Sequence, residues 1–281
     1  MVNFNGSLVE AKNAQVSLNN RAFNYGDAVF ETLRILNGKI FFWEDHYFRL
    51  MASMRILRME IPMNFTMEYL EEEILKTYKS VDPLQNSFRA KLIVWRESGG
   101  RYTPDSNEIG YSIGVESLTE QSYILNNNPC EIELFKDYYV PANLLSTLKS
   151  TNRLVNILGG IFASENGYQN CLLLNEHKQV VEALNGNIFI ISDSVIKTPP
   201  LADGCLNGVL RKQLLSILKK LPAYQVKEEF ISPFELQKAD ELFITNVISG
   251  IIPVTKYRKK EYGNVVAAEL LPLLNLRAIA S

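Results

Sequence analysis

Apolar and polar residues follow two rhythms along this chain, and the change from one to the other marks out the elements. In FETLRILNGKIFF, two β-rich runs flank Asn37-Gly38, the dipeptide pattern most favoured in tight hairpin turns, so a hairpin is predicted there. EDHYFRLMASMRILRM then places Phe48, Leu50, Met51, Met54 and Leu57 on a helical apolar face, and FTMEYLEEEILKTYKS reads as a second helix. SFRAKLIVWRES and EIGYSIGVESL predict strands on either side of the turn-like GGRYTPDSN. Residues 118–129, LTEQSYILNNNP, are polar and end in three asparagines and a proline. A domain boundary is expected there, giving a smaller N-terminal domain over 1–120 and a larger one over 121–281.

Beyond the boundary, CEIELF predicts a strand and the segment from about Asn152 to Gly167 a helix. CLLLNEHKQVVEA and NIFIISDSVIKTPP predict two hairpins, and NGVLRKQLLSILKKL another helix. SPFE at 232–235 fits a capping box with proline at the first helical position. DELFITN and SGIIPVTKY complete the strands, and VAAELLPLLNL a last helix. Strands and helices mix without steady βαβ alternation, so the expected class is α+β, with mixed or antiparallel sheets and helices packed around them.

Charge and composition narrow the function. The 281 residues carry 29 Lys+Arg against 31 Asp+Glu, a net charge of −2, which gives no support to nucleic-acid or membrane attraction. Cys130, Cys171 and Cys205 are scattered and odd in number, as expected of reduced thiols in a cytoplasmic protein. Two histidines, His46 and His177, are too few for a His-rich metal centre, and no metal site is expected. No signal peptide or membrane-length apolar run is read, nor any GxGxxG or P-loop.

Two residues stand out against this background. Lys149, in STLKSTNRLVNILGG, lies just before a predicted helix, where the dipole disfavours a cation and so favours a neutral amine. Most lysines are simply solvated. Glu182, in QVVEALNGNIFII, is an acid inside an apolar strand pair. It is either an outward-facing side chain or a carboxylate aimed inward at a protonated heterocyclic nitrogen.

Six segments occur in one order: NNRAFNYGDAVFETLRI, HYFRL, the lysine segment, VVEALNGNIF, TPPLADGCLNGVLR and ADELFITNVISGIIPV. Over nearly the whole chain this order resembles the fold-type IV pyridoxal 5'-phosphate (PLP) enzymes, which include branched-chain and D-amino-acid aminotransferases and aminodeoxychorismate lyase. The resemblance implies a two-domain fold and a homodimer. It makes Lys149 the Schiff-base lysine and Glu182 the partner of the pyridine nitrogen. Arg49 in HYFRL becomes the phosphate-gripping arginine, its alternative being a surface residue on an amphipathic helix. Gly208 and Val209 open a helix whose free N–H groups suit a phosphate, and Thr245 and Asn246 match the loop completing that cup. Tyr25 matches an aromatic position near the active site, or is a packed core tyrosine.

The resemblance leaves two reactions open. KSTNRL is similar to the lyase's Lys-x-x-Asn-Arg-Leu, and WRESGGRYTP to its glycine- and arginine-rich segment, with Glu97 and Tyr102 departing from the glycines there. Arg96, Arg101 and Arg153 are the candidate ligands for substrate carboxylates, the alternative for Arg96 and Arg101 being solvated loop residues. On these motifs the lyase, forming 4-aminobenzoate and pyruvate, ranks above an aminotransferase moving nitrogen to a 2-oxo acid. A non-catalytic binding protein ranks third.

Overall fold

The protein is described by a computed structural model over residues 1–81, 84–126 and 128–281. Asn127, inside the stretch read as a boundary, lies outside the described residues. Two compact units are present: Met1–Gln121 with Lys149–Asn152 and Ser281, and Ser122–Leu148 with Arg153–Ala280.

The first unit contains β1 (Val2–Phe4), β2 (Ser7–Val9), α1 (Arg21–Tyr25), β3 (Ala28–Leu36), β4 (Lys39–Ile40), α2 (Trp43–Ile56), α3 (Met67–Lys79), β5 (Ser87–Arg96) and β6 (Ile109–Ser117). Its strands form one antiparallel sheet in the order β2-β1-β6-β5-β3-β4. The β3–β4 turn has Asn37 at φ 51° and Gly38 at φ 77°, the left-handed pair that such a turn requires. Leu33 and Ile35 of β3 pack with Leu50 and Met54 of α2 and with Leu70 and Ile74 of α3. Phe48 corrects the expected face of α2. It is 57% exposed, while His46 is fully buried, because the buried stripe runs through Trp43, His46, Leu50 and Met54 at i, i+3 and i+4 spacing.

The second unit contains β7 (Glu131–Val140), α4 (Leu154–Glu165), β8 (Asn170–Asn175), β9 (Val180–Ala183), β10 (Asn187–Ser192), β11 (Val195–Thr198), α5 (Val209–Leu218), β12 (Gln225–Glu228), α6 (Pro233–Leu236), β13 (Glu241–Asn246), β14 (Gly250–Pro253), β15 (Lys256–Tyr257), β16 (Lys260–Glu261) and α7 (Val265–Ala280). They make two sheets, β12-β11-β10-β13-β14 and β16-β15-β7-β8-β9, each mixing parallel and antiparallel pairs. Strand alternation gives the β7–β8 layer two apolar faces. Leu134, Leu172 and Leu174 pack with Tyr257 on one, and Phe135, Leu173 and Val181 pack with Ala163 of α4 on the other. The capping box at Ser232 and Glu235 forms with both reciprocal bonds. Among the described residues no helix is long and apolar enough to cross a membrane.

The segment Lys149–Asn152 does not follow the 1–120/121–281 division. Ser150 bridges Val29, and Phe30 N donates to Lys149 O at 2.8 Å, so this segment pairs alongside the first unit's β3.

Candidate active site

In the first unit, β3 and α2 organise the chemistry around Lys149. Its Nζ stands 4.6 Å from the Phe30 ring centroid, and its backbone is fixed by the bond from Phe30 N. The predicted helix-start setting needs correction. α4 begins at Leu154 with Arg153 as its N-cap, and the dipole's effect falls off within one turn. Lys149 instead sits on an extended bridging segment.

One residue along β3 from Phe30, Glu31 is buried beneath α2. Arg49 Nε donates to its Oε1 at 2.8 Å and Arg49 Nη2 to its Oε2 at 2.5 Å. His46 Nδ1 lies 2.6 Å from the same Oε2. His46 and Arg49 are three residues apart and so share a helix face. Burial works against the Glu31 charge, but Arg49 and His46 more than offset it and hold the carboxyl at about 2. Burial lowers the His46 pKa, against the opposing pull of Glu31. The imidazole is therefore neutral near pH 7, with Nδ1–H donating to the carboxylate. Its Nε2 is buried without a partner among the described residues. Arg49 is thus a fixed, nearly buried guanidinium, and the surface alternative does not hold. Glu31 and His46 did not enter the sequence-derived site. Glu31 carried the same signal as Glu182, an acid inside an apolar strand.

In the second unit, Glu182 is 4% exposed, and its Oε2 accepts from Leu206 N at 2.8 Å. Leu206 O in turn accepts from Asn187 Nδ2 at 2.8 Å. Asn187 pairs in register with Thr245 across β10 and β13. A Cβ on Gly208 would meet Asn187 Oδ1 at 1.9 Å, so glycine is required there by space. Asn187, absent from the sequence-derived set, thus links Glu182, Gly208 and Thr245. Gly208 is the N-cap of α5 and Val209 its first residue, with no side-chain cap bond and no acid in the first turn. Thr245 donates its hydroxyl to Gly250 O at 2.9 Å. Asn246 Oδ1 accepts from Ile248 N and Ser249 N at 3.1 and 2.9 Å. Both side chains are engaged within this loop.

The three candidate carboxylate ligands have different settings. Arg96 is buried. It donates from Nε to Asp27 at 2.9 Å, from Nη1 to Asn107 and Arg58 O, and from Nη2 to Leu57 O at 2.6 Å. Four of its five N–H groups are spent on fixing the end of β5. Arg101 is exposed. Its loop is anchored by buried Arg21, whose Nη1 donates to Gly99 O and Arg101 O at 2.9 and 2.6 Å while its Nε binds Asp27 at 2.9 Å. Arg153 donates to Leu148 O. Tyr25 is 41% exposed, with Tyr102 at 5.8 Å and the Arg21 guanidinium at 5.0 Å from its ring. It is not a core tyrosine.

The model of class IV amino-transferases matches residues 28–257. The chain belongs to this family. "Putative branched-chain-amino-acid aminotransferase" of Methanocaldococcus jannaschii is 30% identical over 267 residues, 95% of this chain and 91% of that protein. "D-alanine aminotransferase" of Listeria monocytogenes is 28% identical over 260 residues, 89% and 85% of the two chains. A solved structure titled "Putative 4-amino-4-deoxychorismate lyase" from Legionella pneumophila superposes with a TM-score of 0.82 at 25% identity, covering 94% of this chain and 95% of that one.

Class IV aminotransferases depend on PLP, and the residues present fit that group. PLP needs an amine for its aldehyde, an anion for its ring nitrogen and donors for its phosphate. Groups of these kinds occur in each unit taken by itself: the amine of Lys149 and the guanidinium of Arg49 in the first, buried Glu182 and the free N–H groups at the start of α5 in the second.

Proposed function

We propose that this enzyme is a PLP-dependent aminotransferase, passing nitrogen from an amino acid with a single carboxylate to a 2-oxo acid, of the branched-chain or D-amino-acid kind. The observation carrying this reading is Arg96. A substrate with two carboxylates calls for a strongly cationic pocket, and one of the three arginines expected there is bound to Asp27, Asn107 and backbone carbonyls. The sequence motifs alone rank the lyase first. Arg96 and the aminotransferase names of the two relatives reverse that order. The lyase stays as the second reading because KSTNRL is similar to the lyase's motif and the Legionella neighbour carries its name.

When bound, PLP supplies the electron sink for the bonds at the substrate Cα. In this reading Lys149 would hold it through Nζ and would serve as the acid and base that moves the Cα proton. Glu182 would keep a proton on the ring nitrogen, and its bond from Leu206 N holds the carboxylate in place. Arg49, held flat by Glu31, would offer the phosphate a guanidinium from the first unit, and the α5 N-terminus at Gly208 and Val209 and the Thr245–Asn246 loop would offer it donors from the second. Arg101, Arg153 and Tyr25 orient the substrate. We further take the protein to act as a cytoplasmic homodimer, a reading supported by the exposed apolar face of α4, which carries Leu154, Ile157 and Ile161.

The test is incubation of the PLP-loaded enzyme with L-branched-chain amino acids or D-alanine plus 2-oxobutyrate, an acceptor with one carboxylate, beside aminodeoxychorismate. New 2-aminobutyrate supports the aminotransferase. 4-Aminobenzoate and pyruvate without transamination would restore the lyase.

A further inference from the structure

The β8–β9 turn, α6 and the β15–β16 turn of the second unit line a cavity of about 540 Å³. Its floor is apolar, made by Leu134, Leu174 and Tyr257, and Tyr139 and Phe234 add aromatic walls. Leu134 and Leu174 belong to one face of the β7–β8 layer. Glu182 stands opposite Leu173, whose side chain packs on the other face. The cavity is therefore separated by a strand layer from the residue assigned to the PLP ring.

Its charged lining is one-signed. Lys136, Lys178 and Arg258 line it together with His177, and no carboxylate does, in a chain of net charge −2. Carboxylates do adjoin it, among them Asp137 next to Lys136, Glu235 next to Phe234 and Asp203 near His177. Glu133 pairs with Arg258 at 3.0 Å, and Glu176 beside His177 accepts from Ala142 N at 2.9 Å. Lys136 and Lys178 form no ion pair among the described residues, so positive charge is left over. Arg258 is also preset, with its guanidinium carbon 5.0 Å from the Tyr257 ring centroid.

The backbone gives a second, independent sign. Lys178 has φ 59° and Arg258 φ 56°, the left-handed region that asparagine or glycine enters more cheaply than long side chains. Each sits in a tight hairpin turn where those small residues are the usual choice. Two such positions converge on one cavity and both present a cation there, and backbone strain of this kind clusters at ligand sites.

We propose that this cavity is a second ligand site, taking a small aromatic carboxylate. The ring lies against Leu134, Leu174 and Tyr257 between Tyr139 and Phe234, and the carboxylate faces Lys178 and Arg258. The site stands whichever reaction the enzyme performs. The turn that carries Lys178 continues into β9, the strand of Glu182, so the ligand adjoins an element of the PLP half-site.

The experiment titrates PLP-loaded protein with benzoate, with uncharged benzamide and with inorganic phosphate, following binding by calorimetry and the PLP absorbance band together. Benzoate should saturate at one per chain without moving the band, with benzamide and phosphate at least about tenfold weaker, the loss expected when a charge pair or an aromatic contact is missing. Lys178→Asn, which relaxes the turn, and Phe234→Ser, at an exposed position, should each weaken benzoate by about fivefold or more. The proposal is overturned by benzoate binding that ignores both substitutions, by phosphate binding equally well, by a band shift that tracks saturation, or by no saturation below about 10 mM.

Discussion

Glu31 accepts two hydrogen bonds from Arg49, one on each carboxylate oxygen, and shares the second oxygen with His46. A guanidinium held at both ends of one carboxylate is fixed in plane, which lowers the entropy lost when it meets an anion. His46 holds the carboxylate in turn, so the order of dependence runs from α2 to β3 and back to α2.

Glu31→Gln should therefore destabilise the fold at pH 7 by about 3 kcal/mol or more, since it leaves a buried guanidinium without its anion. The Glu31 carboxyl is depressed from 4.5 to about 2. Its contribution is complete above 4.5 and is lost as pH falls towards 2. Urea melts across that range should show the gap between wild type and variant closing with acid. A gap that stays constant would mean that Glu31 is not the titrating group.

Gly208→Ala probes the start of α5. The added methyl would stand 1.9 Å from Asn187 Oδ1, so Asn187 must move and its bond to Leu206 O must break. PLP retention after dialysis should fall sharply, with Tm lowered by several degrees, the scale expected for about 1–2 kcal/mol of overpacking. Unaltered retention would separate this helix start from phosphate binding.

Arg96 and Arg101 should part company. Arg96→Met strips Asp27 of a buried partner and should cost stability by about 3 kcal/mol, seen as a lower urea midpoint. Arg101→Met should leave the melt unchanged and raise KM for the amino donor by about tenfold. A raised KM with a normal melt for Arg96→Met would return it to the substrate set.

Assembly can be tested on α4. Leu154, Ile157 and Ile161 are 74%, 56% and 49% exposed and lie at i, i+3 and i+7, on one helix face. Contiguous apolar faces of this kind mark interfaces. Light scattering should give a dimer for the wild type and a monomer for the double variant Leu154→Asp, Ile161→Asp. A wild-type monomer, or a double variant that stays dimeric, would refute this interface.

Much of the architecture was legible from local signals, because those signals act between near neighbours in the chain. Asn37-Gly38 makes its turn, Ser232 and Glu235 close their capping box, and the apolar runs become β3, β5, β8, β10 and β13. Where periodicity misjudged a residue, side-chain chemistry had been traded against helix geometry. Phe48 looked like core and His46 did not, yet the angular position on α2 buries His46, and Glu31 supplies the bond that makes its burial tolerable.

The site separates along the same line. The sequence by itself identified the family and nominated Lys149, Glu182 and Arg49, since a run of motifs in fixed order survives without coordinates. It could not say that Lys149–Asn152 leaves its own stretch of chain to join β3, that Asn187 ties Glu182 to Gly208, or that Arg96 spends its donors on Asp27 and the backbone. Those contacts join residues far apart in sequence. Their existence depends on sheet register and on which buried polar groups need partners, and only the folded chain determines both.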